Sequence, residues 1–284
     1  MTALVVPVVP EQRTESRGRF RQLLAAEWIK LWSLRSTYWV LGVGALVVIG
    51  INVNSARSNA SRLAHQPAAD PFNPEFRFDP MSTAFVDPAY QILMIIAGSV
   101  GAIVVFGEYT SGLIRTTFTA VPARGPVVAA KVTVVAAVML VLGTAVSAAS
   151  FGVSQALLRE HGGLSVSDPG ALRAVVASAL LAPLCALVGM ALGALIRHAT
   201  GTVVAVVGVL LLLPALFQGD TYRWVAEIGN AMPLTAWEAL VENPASHFDP
   251  GKYPETITEA WIVFAAWPLA AAVLAVVMVR RRDL

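Results

Sequence analysis

Apolar and polar positions in this chain are sorted into long blocks. A helix that crosses a bilayer needs about 20 mainly apolar residues. Six blocks meet that length, near Thr37–Val53, Ala89–Phe106, Val127–Leu157, Ala171–Ile196, Ala199–Phe217 and Ala260–Val279. Only Arg197 and His198 separate the fourth block from the fifth. The break predicts a tight hairpin, with one long bent helix as the alternative. Two connecting stretches are long. Residues 54–88 are rich in Pro, Asn and Asp and predict a loop without compact structure, while 218–259 contains "YRWVAEIGNAMPLTAWEALVEN". Its apolar residues recur at helical spacing but are too few to cross. This predicts a helical excursion, re-entrant or interfacial, before the last span.

The stretch before the first block, "RFRQLLAAEWIKLWSLRSTYW", follows a helical period. Phe20, Leu23, Leu24, Trp28, Leu31 and Leu34 share one face, and Gln22, Ala26, Lys30 and Ser33 lie opposite. An amphipathic helix lying in the membrane interface is expected, with Trp28 and Trp32 at headgroup depth. Glu27 falls inside the apolar stripe. A carboxylate there must reach the headgroups or find a cation. The nearby candidates for a salt bridge are Arg115 and Arg124.

Composition narrows the class. Of 284 residues 56% are hydrophobic and only 13% charged, with a mean hydropathy of +0.67. Soluble domains carry about a quarter charged residues, so the expected fold is an all-α integral membrane protein. It has six transmembrane helices, an N-terminal interfacial helix and an extracellular helical excursion. The charges orient it. With the amino terminus inside, the cytoplasmic segments hold 13 of the 20 basic residues and 5 of the 18 acids, a balance of +8 against −6 outside. Positive segments stay cytoplasmic, so both termini are expected there, in the plasma membrane. Residues 1–18 read as a disordered cytoplasmic tail, because "MTALVVPVVPEQR" lacks the basic start and uninterrupted apolar run of a signal peptide. Residues 19–284 then form one six-span transmembrane domain. The lone Cys185 allows no intrachain disulfide.

One polar turn interrupts the apolar run, "GEYTSGLIRTTFTAVPARGP" at residues 107–126. Glu108 is expected to begin a short polar helix after the second span, Gly112 to allow tight packing, and Pro122 to end it. Arg124 and Lys131 flank the start of the third span, with Pro126 in its first turn. An ordinary positive-inside loop would also account for Arg115 and Arg124. Ionisable residues at a membrane boundary are costly and point to function.

Within the spans, Gly189 and Gly193 form a small-xxx-small pattern that favours close helix packing within one subunit, with a dimer contact as the alternative. Thr133, Thr144, Ser147 and Ser154 fall on one face of the third span and read as interhelical hydrogen bonds, with a substrate path as the alternative. Pro183 is expected to kink the fourth span, with Asp168 as its N-cap and Pro169 its first residue. Pro233 and Trp237 could line an outer gate or anchor at the interface. The sequence holds no G-x4-G-K-[ST], and its four histidines are scattered without metal-ligand spacing.

The arrangement E-x3-G-x2-R…P-x-R-x6-K, formed by Glu108, Gly112, Arg115, Pro122, Arg124 and Lys131, resembles the type-2 class of ABC transporter permeases. So does "EWIKLWSLRS", which places Glu27, Lys30 and Arg35 ahead of the first span. The similarity extends over essentially the whole chain. The family's more usual Gly-Thr is Gly112–Leu113 here. The resemblance implies that 107–126, with Tyr109 beside Glu108, is a coupling segment docking into a separate ATPase subunit. It also implies a homodimer, or a heterodimer with a similar permease, embedded in lipid and forming an exporter's path. No catalysis and no bound cofactor are then expected of this chain, because ATP and Mg belong to the partner. No role with nucleic acid is implied. A secondary transporter driven by an ion gradient, and a non-transporting structural or regulatory membrane protein, remain as alternatives. The substrate is not legible.

Overall fold

A computed structural model describes residues 15–33, 35–65, 78–111, 124–219, 221–244 and 252–281, with backbone only at 15–19, 124 and 279–281. Among the described residues every regular element is helical. Helix α1 is Glu15–Ser33, α2 Arg35–His65, α3 Pro80–Ala84, α4 Asp87–Thr110, α5 Arg124–Leu157 and α6 Ala171–Ile196. Next come α7 Ala199–Val207, a π-helical turn Gly208–Leu212, α8 Leu213–Leu216, α9 Arg223–Asn230, α10 Pro233–Val241 and α11 Ile257–Arg281. Six of the helical spans are long and apolar enough to cross a membrane: α2, α4, α5, α6, α7 through α8, and α11. The chain is a multi-pass membrane protein.

Helix α6 is the centre. In its most apolar window 72% of residues are buried, against 28% in α2, 22% in α7–α8 and 17% in α11. A helix apolar on every side has no face to give to water and can be enclosed. Its small residues let α4 come very close. A methyl group on Gly189 would lie 1.9 Å from the carbonyl oxygen of Gly98, and one on Gly101 would lie 1.9 Å from that of Ala186. Gly193 faces Ala102 in the same crossing. Both glycines of the small-xxx-small pattern therefore face another helix of the same chain. Pro183 sits inside the continuous α6.

The break at Arg197–His198 is a hairpin. Arg197 adopts a left-handed backbone (φ 57°) that ends α6, and His198 Nδ1 accepts from Gly201 N–H at 3.3 Å to start α7. Gly98 of α4 faces both Cys185, before the break, and Val206, after it. In one continuous helix those residues would be about 30 Å apart. Pro214 has no N–H for the preceding turn, and the helix widens there into the π turn.

Several expected boundaries shift. Helix α1 starts at Glu15, so 15–18 are helical and not part of an unstructured tail. The first span continues to His65, twelve residues past Val53. The helix is held from the side where the extension begins, as Asn52 Nδ2 donates to Ser150 Oγ (2.9 Å) and Val86 N–H to Asn52 Oδ1 (3.1 Å), and within it, as Asn59 donates to Thr83 (3.1 Å). The described part of the first long connection, 78–88, is also ordered. Asp79 caps α3 through Met81 and Ser82 N–H, and Phe85 is buried. Asp168 does not cap α6. Its carboxylate accepts from Ser165 N–H instead, and Gly170, left-handed at φ 85°, precedes Ala171.

The polar face of α5 divides. Ser147 donates to Val175 O (2.7 Å) and Ser154 is buried against α2, whereas Thr133 bonds its own helix and is exposed, as is Thr144. A 34-residue helix meets different neighbours along its length, so one angular stripe is not buried throughout.

Candidate functional site: four charges where three helices meet

The buried stripe of α1 runs through Leu24, Glu27 and Leu31, with Glu27 only 5% exposed. On α5 the buried positions Val127, Val128, Lys131, Val134, Val135 and Val138 follow the same helical spacing, so a lysine also occupies an apolar stripe. These two charges meet. Lys131 Nζ donates to Glu27 Oε2 at 2.5 Å and to Glu108 Oε1 at 2.8 Å. Lys30 Nζ donates to Glu27 Oε1 at 2.9 Å and to Glu108 Oε1 at 3.1 Å. Two acids and two bases close a neutral ring from α1, the last turn of α4 and the start of α5.

Burying a single charge costs several kcal/mol unless it is paired and hydrogen-bonded. In this ring each cation bonds both carboxylates, so none is stranded. Burial by itself would lower the pKa of Lys30. The hydrogen bonds and negative charge of Glu27 and Glu108 outweigh that and hold its ammonium above the ordinary lysine range.

The sequence-based expectations map unevenly onto this site. Glu27 does find a cation, but it is Lys131 together with Lys30. The pairing expected with Arg115 or Arg124 has no described counterpart, since Arg115 lies outside the described residues and Arg124 is described in its backbone alone. Gly112 and Pro122 also lie outside them. Glu108 does not begin a separate polar helix. It belongs to the last turn of α4, continuous with the span, where its carboxylate can point back toward α1 and α5. Tyr109 beside it takes the Arg197 guanidinium over its ring at 4.4 Å, which ties α4 to the α6–α7 hairpin. Arg35 is exposed at the start of α2, outside the ring. Lys131 as Glu27's partner was the contact missed. Its signal was there, a lysine at the i, i+4, i+7 positions of an apolar face.

At the opposite end, α10 packs into the bundle. Trp237 is fully buried: its Nε1 donates to Ser178 Oγ on α6 (3.0 Å), and its ring stacks on Tyr90 at 4.7 Å. It is therefore not an interfacial anchor. Pro233, also buried, opens α10, and Arg173 donates to the carbonyls of Leu240 and Glu242 at its far end. Burial, then the charge of Asp87, pushes Glu238 on α10 up to about 7. Burial, then Glu259 and Glu238, pushes Glu255 up to about 8, and both Glu255 oxygens are enclosed without a hydrogen-bond partner. Among the described residues no group of His, Cys, Asp and Glu could hold a metal ion.

Compared with models of known protein families, the chain matches none, and comparison with curated proteins gives no match.

Proposed function

We propose that this chain is the membrane-spanning subunit of an ABC exporter, powered by a separate ATP-binding subunit that docks on the segment between α4 and α5. The observation that carries the reading is the ring of Glu27, Lys30, Glu108 and Lys131. It joins the two helices on either side of that segment to α1. A load applied to residues 112–123 would fall on the last turn of α4 and the first turns of α5. Buried ion pairs resist shear, so α1, α4 and α5 would move as one body, and the close α4–α6 crossing would pass the motion to the centre. ATP supplies the switching free energy only if the partner's two states bind this end differently.

In this reading the ring end faces the cytoplasm of a plasma-membrane protein, as the surplus of basic residues on the flanking segments favours. Two copies, or one copy with a similar permease, form the path. An ion-driven transporter would draw on Glu238 and Glu255, which lie at the excursion and not at mid-span where coupling sites sit. The test is to purify the chain from its native membrane and identify what accompanies it. A co-purifying ATPase whose hydrolysis changes when the chain is present supports the proposal. Purification alone, with no ATPase retained and transport following an ion gradient, overturns it.

A further inference from the structure

At the end of the bundle opposite the charge ring, a cavity of about 540 Å³ opens between α9, residues 252–254 and the first turns of α11. Its wall is divided. Arg223, Glu227 and Lys252 line one part, and Ile262 and Val263 of the α11 span line another. The charges are not all consumed internally. Arg223 Nε meets Glu227 Oε1 at 2.8 Å, which leaves the guanidinium's terminal N–H groups and one carboxylate oxygen. Lys252 lies over the Tyr253 ring at 5.3 Å and forms no ion pair among the described residues. Glu259, also in the wall, caps α11 through Oε2, which accepts from Thr256 N–H (2.9 Å) and from its hydroxyl (2.7 Å), and its Oε1 is left over.

The cavity therefore offers cationic donors for one anion and one spare carboxylate oxygen each on Glu227 and Glu259 for a cation, above an apolar surface with Ile262 61% exposed. Its depth is marked by aromatic residues. Tyr222 and Trp224 are exposed beside it, and Trp267 Nε1 donates to Ala231 O at 2.8 Å. Such side chains concentrate at the headgroup level of a membrane. We infer that this cavity binds a phospholipid with a primary-ammonium zwitterionic headgroup, its phosphate held by Lys252 and Arg223, its ammonium by Glu227, and its acyl chain laid along Ile262. A quaternary ammonium has no N–H to donate to Glu227, and a glycerol headgroup has no charge there. The site depends neither on a partner ATPase nor on which membrane face it occupies.

The test is native mass spectrometry of the full chain in detergent with phosphatidylethanolamine, phosphatidylcholine and phosphatidylglycerol of identical chains, plus chainless glycerophosphoethanolamine. Phosphatidylethanolamine should bind about tenfold tighter than the other two lipids, the difference one charge-assisted hydrogen bond makes. Glu227→Gln should erase that preference and strengthen phosphatidylglycerol, while Lys252→Glu should weaken both. Glu227 is 60% exposed, so folding is not at issue for that variant. Equal binding of the three lipids, or a preference that survives Glu227→Gln, overturns the headgroup assignment. Glycerophosphoethanolamine binding as tightly as the lipid overturns the role of the apolar wall.

Discussion

Replacing Lys131 by Met tests whether the charge ring is an interacting unit. Glu27 and Lys131 are almost fully enclosed, at 5% and 8% side-chain exposure. In Lys131→Met both carboxylates must share Lys30, which is 40% exposed and already at 2.9 and 3.1 Å from them. The ring then carries a net negative charge in a largely dry site. Breaking a buried pair costs about 3–5 kcal/mol, and the remaining lysine puts this case near the lower limit, about 3 kcal/mol. For a chain of this size that is a loss of about 6–12 °C in melting temperature. Glu27→Leu alone leaves Lys131 with Glu108 and should cost less, about 2 kcal/mol. The double variant Glu27→Leu/Lys131→Met removes both charges together and should return to within about 1 kcal/mol of the parent, because an apolar pair of similar volume fills the site. The assay is thermal unfolding in detergent over the full double-mutant cycle, with exposed Arg35→Gln as a control expected to stay within about 0.5 kcal/mol. A coupling above about 2 kcal/mol is expected. Additive effects, or a double variant worse than either single one, would refute the ring as an energetic unit. The same double variant separates stability from coupling: if the ring transmits force, it should fold well and still lose stimulation of the partner ATPase.

Gly189→Ala should destabilise by about 1–3 kcal/mol, the usual cost of overpacking, because its new methyl lands 1.9 Å from Gly98 O and backbone cannot move aside cheaply. Gly152→Ala, in the same kind of helix with nothing within 4 Å, should gain up to about 1 kcal/mol; equal melting shifts for the two would contradict the close crossing. At the opposite end, Glu238 and Glu255 hold protons that an unfolded chain releases, since their values of about 7 and about 8 stand above the unfolded 4.5. The unfolded state then binds fewer protons between pH 5 and 8, so stability should fall as pH rises through that window. Glu255→Gln should flatten the profile of melting temperature against pH, with Asp87 facing Glu238, and Glu259 and Glu238 facing Glu255; a melting temperature that climbs over this range would reverse the assignment.

What the sequence by itself determined is what the solvent imposes on one segment at a time. The six spans follow from hydropathy, because a bilayer demands a continuous apolar helix whatever its neighbours are. Glu27's place on a buried stripe follows from helical period alone, and the Arg197–His198 break marks a boundary within two residues, while the contacts of Gly98 with Cys185 and Val206 decide for a hairpin over one bent helix. Tertiary structure decided which residue answers which. Glu27 takes its cation from a helix 104 residues away, whereas the sequence pointed to Arg115 and Arg124, because only the placement of α5 against α1 brings Lys131 to it. Gly189 announced a close packing, but only the crossing with α4 names Gly98 as its counterpart. The helix beyond Val53 was hidden because its residues are largely polar, and Asn59 finds its partner on another element, Thr83 of α3. Trp237 reads like any interfacial tryptophan until Ser178 of another helix supplies the acceptor that lets its indole N–H be buried. A polar atom's cost depends on a partner, and the partner's position is a property of the whole fold.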